Sequence, residues 1–500
     1  MPEPARLFPE LRGFLEAPGP AILLLRGSPG TGKTALVLNL LQQFRGRRVL
    51  VSSRAGAEQL RRDFPWFLER SEESKPPVEI LDGDRLEEPP VPTPSLPEGR
   101  GPDTLTTPED LDRAFLSWVP APLRHLWGSL KAAEPTLLVL DSWDALNERI
   151  LPPPAHPESP LAPAGLERQL LRLVRKAAAH LVLVLETQAP DYRDYVADMV
   201  LETSQSLVED RLERWVRVLK VRGQAIRSPR YPYTLFEGHF RSFEPSPLGA
   251  VIDPPRFEEP PRRTEGDIWP GHSDFAGAFG GLPLGRYSSL EYDPDVPEYA
   301  VRLLNIPIAA YALRHDGKVL YVPSLSTLAG DVIRTYQSVT PQTPLVRNLL
   351  VITPDFARMT PVGTPAEAVP ESPSLSGPDR VLGDGWADRF LQDGTSPSRP
   401  GLGFVHVGTL RVLGSLTGTL PTPESFPQTV QRSLHGRCIH LVFYGLSGDP
   451  LMGSLSGLAA RHLELVNRAG RIFLRGVRPS TPNHVLVPDG EREYRLYPVV

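Results

Sequence analysis

The sequence predicts an α/β protein of two domains, each a mostly parallel sheet flanked by helices, with Pro-rich insertions. Three observations lead to this fold class. Short apolar runs alternate with helical patterns, as they do in βαβ units. The order strand, helix, strand, Pro-rich excursion, strand, strand occurs in both halves, at a period of about 250 residues. Proline accounts for 58 of 500 residues, against a usual share of about 5%, which predicts long irregular connections.

The first half begins with a buried apolar run that leads into an amphipathic helix. Six further short runs follow before the middle of the chain, and each has the length of a strand rather than of a helix. The predicted strands are Ala21–Leu25, Arg48–Val51, Val78–Leu81, Thr136–Leu140, Leu181–Leu185, Val216–Val221 and Tyr233–Phe236, and the predicted helices include Lys33–Phe44 and Leu166–Ala179.

The second half repeats this organisation after the Pro-rich stretch Pro245–Pro270. Because Pro-rich segments are extended and semi-stiff, we place the domain boundary there. The predicted domains are 1–245 and 271–500, joined by a linker at 246–270. Pro-rich breaks lie at Pro89–Pro108 and Leu151–Pro163, and further surface insertions are predicted at Pro361–Pro378 and Ser396–Pro400. The predicted elements are a helix at Leu328–Gln337 and strands at Lys318–Val322, Asn348–Ile352, Phe404–Val407, His440–Tyr444, Arg471–Leu474 and His484–Val487.

Composition excludes several classes of protein. The formal net charge is −5, so the chain is not a strongly basic protein that coats nucleic acid by bulk charge. A single cysteine, Cys438, excludes an internal disulfide framework and a Cys-based zinc site. No apolar run approaches the ~20 residues that span a bilayer, and the N-terminus lacks the positively charged start of a signal peptide. We therefore expect a soluble, cytoplasmic protein with no membrane partner.

The strongest functional signal is a Gly-rich motif between the first predicted strand and the first helix. It matches G-x-x-x-x-G-K-[ST] in full. Its backbone N–H groups and the helix N-terminus are suited to phosphate, the lysine to the β/γ-phosphates, and the threonine hydroxyl to Mg²⁺. The sequence therefore predicts a site for ATP and Mg²⁺. The motif comprises Gly27, Ser28, Pro29, Gly30, Thr31, Gly32, Lys33 and Thr34.

A carboxylate is the expected second ligand of the metal. The apolar strand that begins at Thr136 ends in Asp141, which places an acid at the carboxyl edge of a parallel sheet, where such sheets bind ligands. Asp141 can hold Mg²⁺ directly or through water. The alternative is that this aspartate only caps the following turn.

The first 245 residues resemble the KaiC-like branch of RecA-fold ATPases, which includes KaiC, RadA-type recombinases and the gas-vesicle regulator GvpD. The phosphate loop, the Leu-Asp-Ser sequence around Asp141, and a Lys-x-Arg-Gly strand with its closing hairpin carry this resemblance. It implies tandem RecA-like domains, because the second half is similar in degenerate form. The segments compared are Gly27–Thr34, Leu140–Leu146, Leu219–Gly223 and Tyr231–Gly238.

The resemblance also implies a role for Lys220 and Arg222. In that family the Lys-x-Arg strand reaches the nucleotide of the neighbouring subunit in a ring. The two cations are thus candidates for contacting γ-phosphate in trans, in the manner of an arginine finger. The alternative is that both lie on the solvated face of a strand.

The chain departs from the family where water is activated. One or two glutamates usually follow the second strand, but here Arg54 and Ala55 occupy those positions. An arginine cannot act as a general base. Glu58 and Glu186 are the nearest substitutes. We therefore expect nucleotide binding with slow hydrolysis.

The second half keeps the family's entry sequence, Phe279–Gly285, but no phosphate loop follows it. Ser289–Tyr299 lacks a glycine cluster and a lysine, and its acidic residues Asp293, Asp295 and Glu298 would repel phosphate. Gly408 stands where the metal-binding aspartate is expected, and the strand Arg471–Gly476 keeps an arginine without the Lys-x-Arg spacing. This half is predicted to serve in partner binding or self-assembly rather than in nucleotide binding.

The sequence thus predicts an Mg·ATP-binding protein that is a slow ATPase or a regulatory switch, acting through self-assembly or an unidentified protein partner. The alternative is a recombinase-like DNA-repair accessory ATPase. Net charge and the lack of a recognisable DNA-binding module do not favour DNA as a partner.

Overall fold

The computed structural model describes residues 7–53, 55–67, 77–82, 135–150, 163–177, 179–187, 189–245, 257–259, 267–340, 348–352, 359–361, 401–417, 439–489 and 493–500. Contacts divide the chain into unit 1, Met1–Glu244 with Val499–Val500, and unit 2, Pro245–Pro498. Both are α/β and contain a large, mostly parallel sheet. The predicted insertions at Pro361–Pro378 and Ser396–Pro400 lie outside the described residues except for Pro361, and the domain bounds stay a prediction.

Unit 1 has a nine-stranded sheet of order β3-β2-β4-β5-β1-β6-β7-β8-β9. The first six strands in that order are parallel, and β7 to β9 continue as an antiparallel extension. The strands are β1 Ile22–Gly27, β2 Arg47–Ser52, β3 Val78–Asp82, β4 Thr136–Asp141, β5 His180–Val184, β6 Met199–Val208, β7 Arg211–Val221, β8 Arg230–Thr234 and β9 Arg241–Ser242. The helices are α1 Pro9–Leu15, α2 Lys33–Gln43, α3 Ala57–Asp63, α4 Trp143–Ile150, α5 Pro163–Lys176 and α6 Arg193–Val196.

The central strands of unit 1 are buried on both faces. Every residue of β1 and β5 is buried, which explains why they are continuous apolar runs without alternation. Because successive side chains point to opposite faces, Leu23 and Leu25 join one apolar cluster while Ile22 and Leu24 join another. The sheet therefore lies between two packed apolar layers. The carboxyl ends of its strands are not covered by these layers.

Unit 2 has a ten-stranded sheet of order β15-β14-β13-β16-β17-β12-β18-β19-β20-β21, and a two-stranded sheet of β10 with β11. The strands are β10 Asp267–Ile268, β11 Leu282–Pro283, β12 Tyr287–Tyr292, β13 Lys318–Val322, β14 Leu349–Ile352, β15 Met359–Pro361, β16 Gly401–His406, β17 Ile439–Leu446, β18 Arg461–Arg468, β19 Arg471–Arg478, β20 His484–Asp489 and β21 Glu493–Pro498. The helices are α7 Ser273–Phe279, α8 Glu298–Arg314, α9 Ala329–Val339, α10 Val407–Thr417 and α11 Pro450–Leu458.

The two sheets share one strand order once the edge strand β15 is set aside. β12 corresponds to β1. β13 and β14 correspond to β2 and β3, and β16 to β21 correspond in order to β4 to β9. An irregularity in pairing also recurs, between Val200 and Leu201 on β6 and between His462 and Leu463 on β18. These correspondences favour the hypothesis that the two units are tandem copies of one fold.

Several predicted elements differ from the observed ones. The bounds of the predicted strand Tyr233–Phe236 are wrong, because β8 runs from Arg230 to Thr234 and a 3₁₀ turn follows at Phe236–Gly238. The sequence predicts no strand at β12, because its serines and Glu291 break the apolar pattern. Among the described residues, no helix combines the length and apolar character needed to cross a lipid bilayer.

Candidate nucleotide-binding site

The Gly-rich loop Gly27–Thr34 lies between β1 and α2, at the carboxyl edge of the unit 1 sheet. Gly32 is the residue before the first turn of α2 and has left-handed backbone, and Lys33 begins the helix. The first N–H groups of a helix have no partner within it, so they are available to an anion. The loop is therefore placed as phosphate binding requires.

Two glycines of the loop are needed for its shape. Gly27 has φ +152°, and a Cβ there would lie 2.2 Å from Thr203 Oγ1. Gly32 has φ +78°, and a Cβ there would lie 2.7 Å from both terminal carbons of Leu235. Any other residue at these positions would combine an unfavourable backbone conformation with a steric clash.

Lys33 folds back over the loop. Its Nζ donates to the carbonyl oxygens of Gly27 at 2.6 Å and of Ser28 at 3.0 Å. The ammonium group is thus held against the loop by two backbone carbonyl oxygens. A bound phosphate would offer it a negatively charged acceptor in their place.

Thr34 and Asp141 come together at the edge of the sheet. Thr34 Oγ1 donates to Asp141 Oδ2 at 2.8 Å, although the residues are 107 positions apart. Asp141 is the last residue of β4, and the Asp141 carbonyl accepts from Ser53 N at 2.7 Å. The hydroxyl and carboxylate are oxygen donors, which suit Mg²⁺.

The loop is supported by residues that no local motif indicates. The Tyr233 hydroxyl donates to the carbonyl of Thr31, and the hydroxyls of Thr31 and Thr203 are 2.8 Å apart. Arg214 Nη1 donates to the carbonyl of Gly30 at 3.1 Å. Burial raises the pKa of Tyr233 to about 12, so it stays a neutral donor. These residues come from β6, β7 and β8, so only the folded sheet brings them to the loop.

The positions expected to activate water carry no base among the described residues. Arg54 lies outside the described part of the chain. Ala55 lies after β2 and has no acid or base group, and its N–H donates to Ser52 Oγ at 3.1 Å. Glu58, in the first turn of α3, is exposed.

Glu186 lies just after β5, the strand that separates β1 from β4 in the sheet. The preceding residue, Leu185, donates its N–H to the carbonyl of Leu25 at 2.8 Å. Asp144 Oδ2 accepts from Glu186 N at 2.7 Å, so Asp144 anchors the end of this strand.

Lys220 and Arg222 contact their own unit. Lys220 Nζ donates to the carbonyls of Asp194 at 2.6 Å and Tyr195 at 3.3 Å, at the end of α6. Arg222 donates to Asp198 Oδ1 at 3.0 Å and to the carbonyl of Tyr195 at 3.2 Å. These contacts anchor α6 to β7, and the role in trans stays a prediction.

A tyrosine and a histidine occupy the corresponding site in unit 2. Strand register places Tyr292 where unit 1 has Gly27, and His406 where it has Asp141. The expectation that Gly408 takes the aspartate position is therefore wrong, because β16 ends two residues earlier. The Tyr292 hydroxyl lies 2.8 Å from His406 Nε2, which fills the edge of the sheet with a polar pair.

The segment between β12 and α8 replaces the phosphate loop in unit 2. It is acidic, and Asp293 lies 3.8 Å from Arg468 while the Asp295 carbonyl accepts from Asn467 Nδ2 at 3.0 Å. Glu298, at the start of α8, accepts from Ser326 and Thr327. Negative charge at this helix start disfavours phosphate.

The comparisons with known proteins point to one group. Residues 111–222 match the model of the GvpD gas vesicle protein P-loop domain. That segment includes Asp141, Lys220 and Arg222 and begins after the loop Gly27–Thr34. Protein GvpD2 of Halobacterium salinarum is 28% identical over 328 residues, covering 63% of this chain and 60% of the relative. Protein GvpD1 of the same organism is 28% identical over 329 residues, covering 63% and 56%.

The chain spans about three fifths of the length of the curated relatives it matches. The domain match covers the strand that carries Asp141 and the Lys-x-Arg strand, while the relatives extend the similarity over more than half of the chain. Together with the α/β sheets and the Gly-rich loop, these matches support a P-loop ATPase-like protein of the RecA superfamily.

Proposed function

We propose that unit 1 binds Mg·ATP and that the chain is a slow ATPase or nucleotide-dependent switch. The observation that carries this proposal is the Thr34–Asp141 pair, 2.8 Å apart beside the Gly-rich loop. Backbone N–H groups of the loop and the start of α2 would hold the phosphates, and Lys33 would exchange two carbonyl acceptors for a phosphate oxygen.

Thr34 and Asp141 would hold Mg²⁺. When bound, the ion neutralises charge that develops on the phosphate oxygens. The unit's own residues contribute position: Ser53 fixes the Asp141 backbone, and Tyr233 and Thr203 fix the loop through Thr31. These contacts would hold the proposed site residues in place for a nucleotide.

Hydrolysis is proposed to be slow, because the expected glutamates are replaced by Arg54 and Ala55. Neither side chain can take a proton from water at neutral pH. Glu186 is the one described acidic residue that β5 carries to this edge of the sheet, so we propose it as the residue that supports residual turnover.

The proposed role is regulatory. Unit 2 repeats the strand order of unit 1 without its loop, which supports a degenerate tandem domain used for partner binding. The relatives' domain is named for gas vesicle proteins, and we propose that this chain regulates gas vesicle formation through a protein partner. Lys220 and Arg222 would contribute in trans if the protein forms a ring. No observation on the described residues favours the recombinase-like alternative.

Steady-state phosphate release from Mg·ATP tests the enzymatic part of the proposal, with nucleotide binding measured in parallel. Wild-type protein is expected to bind ATP and release phosphate slowly. Lys33→Ala should lose both, and Lys318→Ala, at the start of β13, serves as the matched control. Fast turnover in wild-type protein would contradict a slow ATPase, and turnover that survives in Lys33→Ala would contradict the site.

A further inference from the structure

Three side chains with metal-ligand chemistry converge in unit 2, outside the site described above. Glu291 lies on β12, and His462 and Glu464 lie on the neighbouring strand β18. Glu291 and Glu464 are directly paired in the parallel register of these strands. His462 precedes Glu464 by two residues, so all three side chains project from one face of the sheet.

The geometry of the three donors is compact. His462 Nε2 lies 3.3 Å from Glu291 Oε1 and 3.9 Å from Glu464 Oε1. One donor atom from each residue fits within 4.8 Å of the others. With metal–ligand bonds of about 2.0–2.2 Å, the ligand atoms around a tetrahedral ion are separated by roughly 3.3–3.6 Å. A small contraction would therefore close these groups around one ion.

His462 supplies the observation that points to a ligand. The residue is only 9% exposed, and its Nε2 makes no hydrogen bond of good geometry among the described residues, although Glu291 Oε1 lies 3.3 Å away. A buried polar atom without a partner is costly, and each such case needs a physical explanation. A metal ion between the imidazole and the two carboxylates would satisfy this nitrogen.

The surrounding residues hold both carboxylates in place. Ser456 Oγ donates to Glu291, and Arg475 donates to Glu464 Oε2 from Nε at 2.7 Å and from Nη2 at 2.6 Å. Oε1 of Glu464 is the oxygen that faces His462. Fixed, hydrogen-bonded ligands of this kind are characteristic of metal centres.

We propose that Glu291, His462 and Glu464 bind one divalent transition-metal ion, with Zn²⁺ the closest match. One imidazole nitrogen with two carboxylate oxygens suits zinc, whereas Mg²⁺ and Ca²⁺ prefer oxygen-only sites. Three protein ligands leave the fourth position for water. Glu464 is the most accessible ligand, with a side chain 22% exposed, and gives the ion an entry path.

Unit 1 has no equivalent cluster at the matching positions. Strand register aligns Glu291 with Arg26 and His462 with Val200. Arg26 is buried and forms ion pairs with Asp191 and Asp194 instead. The proposed ion would therefore join β12 to β18 within the unit 2 sheet.

The test uses the full-length, chelator-treated chain with Zn²⁺ alone as the probe, in competition with a chromophoric zinc indicator. Wild-type protein is expected to bind one equivalent at this site. His462→Gln should lose that equivalent, with affinity falling at least 100-fold, while His315→Gln, at the end of α8, should retain it. Equal stoichiometry and affinity in wild-type and His462→Gln proteins, or no zinc bound by wild-type protein at micromolar concentrations, would overturn the proposal.

A second variant keeps the proposal testable if His462→Gln does not fold. Glu291→Gln removes one charge at nearly constant volume. Zinc should raise the Tm of wild-type protein, because an ion bound only by the folded state stabilises it. Glu291→Gln should show no such rise, and an equal rise in both proteins would overturn the assignment. An ion pair between a protonated His462 and the carboxylates, with no metal, predicts no zinc-dependent rise in either protein.

Discussion

At the scale of single residues, the conformation of the Gly-rich loop requires glycine at the positions where neighbouring residues leave no room for a side chain. Gly32 joins the loop to α2 with φ +78°, and Leu235 lies against it. The sequence motif predicts the glycine, because any P-loop needs it. It does not indicate Leu235, because the contact forms only when β8 and the turn after it pack beside the loop.

Gly32→Ala is expected to lower the free energy of unfolding by about 1–3 kcal/mol, from the left-handed backbone and the clash with Leu235. Nucleotide affinity should fall with it. Gly19→Ala is the matched control, because no atom lies within 4 Å of a Cβ at Gly19. Urea denaturation of both variants measures the difference, and equal midpoints would contradict the role assigned to Gly32.

His406 lies in unit 2 at the position that Asp141 has in unit 1, and its surroundings hold a neutral ring. Its Nδ1 accepts from Thr409 N at 3.1 Å, so the proton of the neutral ring lies on Nε2, which faces the Tyr292 hydroxyl. Burial lowers the pKa of His406 to about 4, against a smaller opposing effect of Asp449. The site is arranged for a neutral imidazole.

This arrangement predicts a dependence of stability on pH. The folded-state pKa is lower than the unfolded value of about 6.5, so the unfolded chain binds the proton more readily and stability falls as pH drops from about 6.5 to about 4. The pKa gap corresponds to about 3 kcal/mol. His406→Gln should make the fall shallower by up to that amount when unfolding is measured between pH 7 and pH 4. Parallel curves for the two proteins would contradict the argument.

At the scale of elements, a cationic side chain binds the end of a corresponding helix in each unit, α6 in unit 1 and α11 in unit 2. Lys220 on β7 binds the last carbonyls of α6, and Arg478 on β19 binds the carbonyls of Ser456, Gly457 and Ala459 at the end of α11. Strand register pairs Lys220 with Val200 and Arg478 with His462, which are matching positions. Arg478, rather than an arginine within Arg471–Gly476, therefore corresponds to Lys220.

If these cations hold the helix ends, removing either one should lower the stability of the protein even when no nucleotide is bound. Lys220→Met and Arg478→Met should each lower the free energy of unfolding by about 1 kcal/mol, because helix-end carbonyls lose a charged donor. Arg217→Met is the matched control on β7, since its ion pair with Glu202 is exposed and worth under about 1 kcal/mol. Unchanged stability of Lys220→Met, with altered nucleotide turnover, would favour the role in trans alone.

The sequence predicts the central strands well and the polar ones poorly. β1, β4 and β5 are continuous apolar runs, because both faces of a parallel sheet are covered. β12 is also central, yet Ser288, Ser289 and Glu291 interrupt its apolar pattern. Only the sheet shows that Glu291 meets His462 and Glu464 there, because β18 lies 170 residues downstream.

At the scale of the whole molecule, the two units share one strand order but have different residues at the carboxyl edge of the sheet. Unit 1 combines a Gly-rich loop, Lys33 and the Thr34–Asp141 pair. Unit 2 has an acidic segment and the Tyr292–His406 pair at the matching places. The central claim is therefore that each chain has one nucleotide site, and that this site lies in unit 1.

Calorimetric titration of the full-length chain with Mg²⁺ and a non-hydrolysable ATP analogue tests this claim most directly. We predict one nucleotide per chain in wild-type protein and none in Lys33→Ala, with circular dichroism showing that the variant is folded. Two nucleotides per chain, or one that remains bound in Lys33→Ala, would contradict the account by placing a nucleotide site in unit 2.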